Sequence, residues 1–304
     1  AGAARGDQQP GGAGRRRRPP AGLMVAPAFE YVAAGSYDEA VRLLAENSDE
    51  AKILAGGQSL MPMLNLRLAH PELLIDINPA DQRPPAVENG VLRLPALTRH
   101  RVLLEDPVVR QHCPLLADAI RYVGNVRVRN RGTIAGSLAH ADPTSEIGCC
   151  ALATGARVVA RGPAGERTVP ASDLFAGYWS TTLDPAEIIT DVLIPAARPR
   201  QGWSFHEMVR RTSDFAIVAV GVIFNLPERS GASASATVAL AGVADRVVLV
   251  GSDLVDDDPD QSAARIADTL DPPDDVHASG AYRRRLARVL ISRALREASA
   301  RAAR

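Results

Sequence analysis

Lysine is nearly missing from this sequence: Lys52 is the only one, and arginine carries the remaining positive charge. The 35 basic residues are matched by 35 acidic ones, spread evenly from about residue 24 onward. A general nucleic-acid or membrane-surface binder needs a field of one sign, so neither nucleic acid nor membrane insertion is expected. Cysteine is scarce as well, limited to Cys113, Cys149 and Cys150. Cys149 and Cys150 are too close for an unstrained disulfide, and no C-x-x-C spacing occurs. An iron–sulfur cluster usually takes four thiolates, so three scattered thiols cannot hold one alone. They read as small buried apolar groups in a protein of the reducing cytoplasm. No apolar run approaches the roughly 18 residues of a membrane span.

Several signatures of chemistry are absent too. There is no G-x-x-x-x-G-K-[ST] and no strand-borne G-x-G-x-x-G, so neither a P-loop nor a Rossmann dinucleotide site is supported. No G-x-S-x-G elbow for a serine hydrolase exists. His70, His100, His112, His140, His206 and His277 show no H-E-x-x-H spacing, which removes a metal hydrolase.

What is present fits about two domains in 304 residues. Residues 1–23 are Gly, Pro, Arg and Ala with little to bury, and are expected to be disordered. Arg15 to Arg18 lack a following apolar stretch, so they are not read as an export signal, and Met24 is a candidate start. A strand is expected over 25–31, then a helix over about 37–47 with Ser36 as its cap and Glu39 at the capping-box position. Further strands are expected over 51–55, 73–77 and 91–95, with helices over 60–68 and 115–122. Residues 130–137 read as a loop. After a linker at 196–202, 216–225 and 234–242 alternate like strands, joined by a hairpin near 227–231. The acidic run 256–260 reads as a solvated turn. A long amphipathic helix over 282–303 would bury Leu286, Val289, Leu290 and Leu295. Mixed βα units followed by strands suggest an α+β fold.

Two glycine corners carry the functional signal. The first, Ala55-Gly56-Gly57-Gln58-Ser59-Leu60, directly follows an apolar strand. Paired glycines let the backbone turn tightly and approach a ligand, and their N–H groups can converge on an anion. A helix starting after Ser59 would add partial positive charge. The second corner is Arg131-Gly132-Thr133-Ile134-Ala135-Gly136-Ser137. Their natural common target is a diphosphate. The residues alone therefore reach a diphosphate-bearing cofactor held outside a Rossmann fold.

The string 53–62, with Asn65 to Leu68 and Leu74 to Ile77, resembles the first flavin loop of the molybdenum hydroxylases. The nearest likeness is the medium, FAD-binding subunit of the carbon monoxide dehydrogenase and xanthine dehydrogenase group. Residues 130–143 resemble that family's second loop, and Arg210-Arg211 with Asp214 to Val218 a third motif. Tyr282-Arg283-Arg284 with Leu290 and Leu295 resembles its closing helix.

The resemblance implies a vanillyl-alcohol-oxidase (PCMH)-type FAD-binding fold over 24–198, in subdomains of about 24–80 and 81–198. A smaller C-terminal α+β domain would occupy 199–304. It implies that the backbones of Gly56, Gly57, Gln58 and Ser59, and of Thr133, Ala135 and Gly136, hold the pyrophosphate. Leu54, Ala55, Leu60, Ile134, Ser137 and His140 would belong to the same segments. Glu146 would meet the adenosine ribose, Ile189 would pack near the nucleotide, and His206 would lie near the isoalloxazine. Arg211 and Asp214 would orient the C-terminal domain.

By the same resemblance, a large molybdopterin-binding subunit would hydroxylate substrate. A small subunit with [2Fe–2S] clusters would pass electrons to FAD here, in a dimer of heterotrimers. A stand-alone NAD(P)H-dependent flavin reductase on the same fold, or a nucleotide-sensing module, are the alternatives.

Overall fold

A computed structural model of the chain describes residues 27–47, 50–227, 233–256 and 258–304. The expected disorder of 1–23 and most of the expected hairpin turn lie outside these residues.

The first layer comprises β1 (Glu30–Ala33), α1 (Tyr37–Glu46), β2 (Ala51–Leu54), α2 (Leu60–Asn65) and β3 (Leu73–Asp76). Its strands form a parallel sheet in the order β1-β3-β2, which requires helical crossovers. α1 begins as its sequence predicts. Ser36 Oγ accepts from the Glu39 N–H at 3.1 Å, while the Glu39 carboxylate reaches back to the Gly35 N–H at 2.8 Å. Ala40, Val41 and Leu44 then face the core. The first strand lies later than the expected 25–31.

A longer second layer follows, starting with β4 (Ala86–Glu88), β5 (Val91–Pro95), α3 (His100–Glu105), α4 (Pro107–His112) and α5 (Pro114–Ala119). Next come α6 (Val126–Arg131), α7 (Ile134–His140) and α8 (Glu146–Ala153). β6 (Arg157–Gly162), β7 (Gly165–Pro170), α9 (Ala171–Leu174), β8 (Phe175–Gly177), β9 (Ser180–Thr181) and β10 (Ile188–Pro195) complete it. Five strands pair antiparallel in the order β4-β5-β10-β6-β7. The central strand β10 carries a bulge between Ile189 and Asp191.

Residues 130–137 are not a loop. Glycines and hydroxyl residues read as irregular structure, yet Gly132 and Thr133 only separate α6 from α7, and Thr133 Oγ1 caps α7 by accepting from the Gly136 N–H at 3.2 Å.

The third layer is β11 (Gln201–Met208), β12 (Val218–Asn225), β13 (Ser235–Ala241) and β14 (Val248–Leu249), in sequential antiparallel order, with α10 (Pro259–Thr269) and α11 (Gly280–Ala302). β12 is buried on both faces. Val218, Val220 and Val222 join the core beneath α10 and α11, while Ala219 and Ile223 join the core containing α8. The alternation is therefore valine against mostly small residues rather than apolar against polar. Each fully buried valine contributes about 1.5–3 kcal/mol.

The closing helix buries Leu290, Ile291, Ala294 and Leu295, but Val289 is 46% exposed, because the small residues Ala287 and Ala298 take the inward positions. Pro259 and Asp260 open α10 under an Asp258 cap, so the acidic turn runs into a helix. Arg283, 4% exposed, reaches from α11 to the carbonyls of Ile217 and Gly242 and pairs with Asp275 at 2.6 Å. Among the described residues the Arg211 and Asp214 side chains make no such contact, and the contacts of Arg283 stay within its own layer.

Candidate functional site

The first glycine corner leaves β2 at Leu54 and turns through Gly57, whose φ of +72° suits glycine. Within the described residues, the N–H groups of Gly56, Gly57, Gln58, Ser59 and Leu60 donate to no protein group. Five consecutive free donors at a strand-to-helix turn make a binding surface for an anion.

The second corner is tied down differently. Gly132 O accepts from the His100 N–H at 3.0 Å, Ile134 N–H donates to Thr98 O at 3.0 Å, and Ala135 N–H donates to Ala96 O at 3.2 Å. With Gly136 N–H spent on the Thr133 cap, this arm supplies shape and side-chain groups rather than a row of free N–H donors. Of the backbone donors expected on this arm, those of Ala135 and Gly136 are engaged within the protein, because the arm is hung on the end of β5.

The two arms touch. A Cβ on Gly56 would lie 2.4 Å from the Arg131 carbonyl oxygen and 2.9 Å from Gly132 Cα. A polar clasp spans the junction: Asn78 Nδ2 donates to Ala55 O at 2.9 Å, and Arg99 donates both to Asn78 Oδ1 and to the Arg131 carbonyl. Burial lowers the Arg99 pKa from its ordinary value.

Both arms line one cleft of about 460 Å³, within the usual range of small-molecule sites. Its third wall comes from Leu183 and Pro185 before β10 and from Ile188 and Ile189 at its start, where the bulge changes the strand's course. The structure thus gathers Ala55, Gly56, Gly57, Gln58, Ser59, Leu60, Thr133, Ala135, Gly136, Ser137, His140 and Ile189.

Leu54 and Ile134 stand behind that wall. The Leu54 side chain would touch a Cβ on Gly57 at 3.3 Å, and Ile134 is buried in the core. Among the cleft residues that sequence reasoning missed are His100 and Trp179. Trp179 sits at the cleft on the turn between β8 and β9 with a φ of +48° and 62% of its surface exposed. The adjacent pair Tyr178-Trp179, in a sequence with 4% aromatics, was the available signal.

Two expected site residues lie elsewhere. His206 does not line the cleft; it faces α11, with Nε2 2.9 Å from Glu297 Oε2, because strand alternation turns it away from Phe205 and the core containing α8. Glu146 opens α8 outside the cleft wall and acts electrostatically on Glu207 of β11. Burial pushes Glu146 up to about 7. Burial, then the Glu146 charge, pushes Glu207 up to about 8, and both Glu207 oxygens are shielded from solvent without a hydrogen-bond partner.

The unfolded chain releases these protons near 4.5, so between there and about 8 the folded state holds more protons. Stability is therefore full below that window and falls as pH rises through it. Calorimetric scans are expected to show the melting temperature declining from about pH 5 to about pH 9, with Glu207→Gln flattening the decline. A profile unchanged by that substitution would refute the assignment.

Residues 27–197 match the family described as the FAD binding domain in molybdopterin dehydrogenase, and 203–298 match the CO dehydrogenase flavoprotein C-terminal domain. The chain belongs to this FAD-binding family.

Similar proteins include the 6-hydroxypseudooxynicotine dehydrogenase complex subunit alpha of Paenarthrobacter nicotinovorans, 37% identical over 92% of this chain and 97% of that one. The carbon monoxide dehydrogenase medium chain of Hydrogenophaga pseudoflava is 35% identical over 92% of this chain and 100% of its own. A solved carbon monoxide dehydrogenase from that organism, lacking the Mo-pyranopterin moiety of its molybdenum cofactor, superposes with a TM-score of 0.85. That match covers 91% of this chain and 99% of the other at 35% identity. The fold is of the PCMH-like FAD-binding type.

The free donors of Gly56 to Leu60 and the absence of room for a Cβ on Gly56 fit the diphosphate of FAD. The apolar wall through Ile188 and Ile189 suits its rings.

Proposed function

We propose that this chain is the medium, FAD-carrying subunit of a multi-subunit molybdenum-containing hydroxylase or dehydrogenase. A small partner would deliver electrons from [2Fe–2S] clusters, a large partner would hold the molybdenum cofactor, and an external acceptor would take the electrons from here. The assembly is a dimer of heterotrimers in the cytoplasm. The observation that carries this reading is the meeting of the two glycine arms in one cleft. FAD exchanges electrons singly or in pairs, which suits a station between clusters and an acceptor. The chain's own part is to bind and orient it.

Two features support the division of labour. The three thiols are buried, with those of Cys113 and Cys149 pushed up to about 12 by burial, as expected of structural rather than cluster-binding cysteines. No helix among the described residues is long and apolar enough to cross a membrane. The three larger of the four sheets among the described residues support subdomain boundaries near 80 and 199.

Gly57→Asp places a side chain and negative charge beside the free donors, at a φ of +72°. The variant is expected to purify without flavin absorbance; full occupancy would contradict the placement. Affinity purification of the parent chain from its source should bring down two partners, one bearing clusters and one molybdenum. NADPH oxidation by the isolated chain would instead favour a stand-alone reductase.

A further inference from the structure

His100 is a cleft residue to which none of the similarities above attaches a role. Its ring is 3% exposed, at the start of α3, and packs over Gly132 so closely that a Cβ there would lie 2.6 Å from its Cε1. Nε2 stands 3.1 Å from the Thr133 carbonyl oxygen and 3.1 Å from Ser137 Oγ. Nδ1 is shielded and has no hydrogen-bond partner.

These contacts settle the tautomer. A carbonyl only accepts, so Nε2 must carry the proton. The opposite tautomer would bury an unsatisfied N–H at Nδ1 and set two lone pairs against each other at Nε2. With Nε2–H as the shared donor, Ser137 Oγ is the acceptor, and its own proton is not used by the ring. Ser137 lines the cleft, opposite the first arm's free donors.

We propose that His100 is a positioning residue that holds the Ser137 hydroxyl as a hydrogen-bond donor to the diphosphate of the cofactor. This rests on the FAD reading above. It supplies the second arm with a side-chain donor in place of the backbone donors of Ala135 and Gly136, which are engaged inside the protein. Burial holds the ring down to about 4, so it stays neutral across the physiological range and the arrangement does not depend on pH there.

The test measures FAD affinity of the full chain in its purified assembly by flavin fluorescence, with thermal melting of the FAD-free form as a check on folding. A hydrogen bond to a charged group is worth about a ten- to hundred-fold change in affinity. Ser137→Ala and His100→Leu are each expected to weaken binding about that much, and the double variant by no more than about threefold beyond either.

His100→Gln, which can return an N–H to the ε position, should bind at least about fivefold tighter than His100→Leu. Ser137→Ala binding FAD as the parent does, or losses that multiply in the double variant, would overturn the proposal while leaving FAD binding intact. A parent assembly that takes up no FAD would overturn both. Should His100→Leu fail to fold, Ser137→Ala and His100→Gln still decide: the proposal stands only if the first loses affinity and the second keeps the greater part of it.

Discussion

Gly56→Ala is expected to strip the chain of FAD. The new methyl would meet the backbone of the second arm: the Arg131 carbonyl oxygen at 2.4 Å, Gly132 Cα at 2.9 Å and the Arg131 carbonyl carbon at 3.0 Å. Ordinary contact begins near 3.4 Å, so the arms must part by about 1 Å. Neither arm can yield alone. The second is pinned to Ala96, Thr98 and His100, and the first is held by Asn78 and Arg99. A displacement of about 1 Å in a preorganised site can cost about a hundredfold. Titration of the FAD-free variant with FAD should show at least that loss. Gly35→Ala, whose Cβ meets only the far end of Glu39 at 3.7 Å, is the control. Parental affinity in Gly56→Ala would mean that the arms do not act as one cradle.

The second large effect concerns folding. A Cβ on Gly202 would lie 1.8 Å from the Ala298 carbonyl oxygen and 2.6 Å from the Ala302 backbone nitrogen. This is where the start of β11 passes the last turns of α11, and glycine there sets how closely helix and sheet approach. Backbone cannot rotate away as a side chain can, so Gly202→Ala must push the helix outward. That would open the core through Ala298 and Leu295 and disturb the Arg301 contacts with the Trp203 carbonyl and Asp118. Overpacking of this kind costs about 3 kcal/mol or more. A melting temperature lower by about 6–12 °C is expected. An unshifted melt would show that the helix is not seated on the strand.

Much of the site is legible along the chain because its first arm is local. A strand, two glycines and a short helix follow one another within 51–65, and glycine is needed where φ is positive. The second arm is less legible. Its glycines and hydroxyl residues read as a loop, and only the Thr133 cap reveals the start of α7. His206 and Glu146 were placeable by motif, but not the directions of their side chains. Strand alternation sends His206 toward Glu297, and the packing of α8 against β12 and β13 sets Glu146 beside Glu207.

The amino-acid order by itself determined the α+β class, the two glycine corners, the thiols as buried groups and the family. All of these are short-range patterns or strings. Tertiary structure alone decided which N–H groups stay free, that His100 shares its proton with Ser137, and that Arg283 ties the C-terminal helix to its sheet. The reason is physical: hydrogen-bond partners and burial belong to groups tens of residues apart, and only the folded chain brings them within bonding distance.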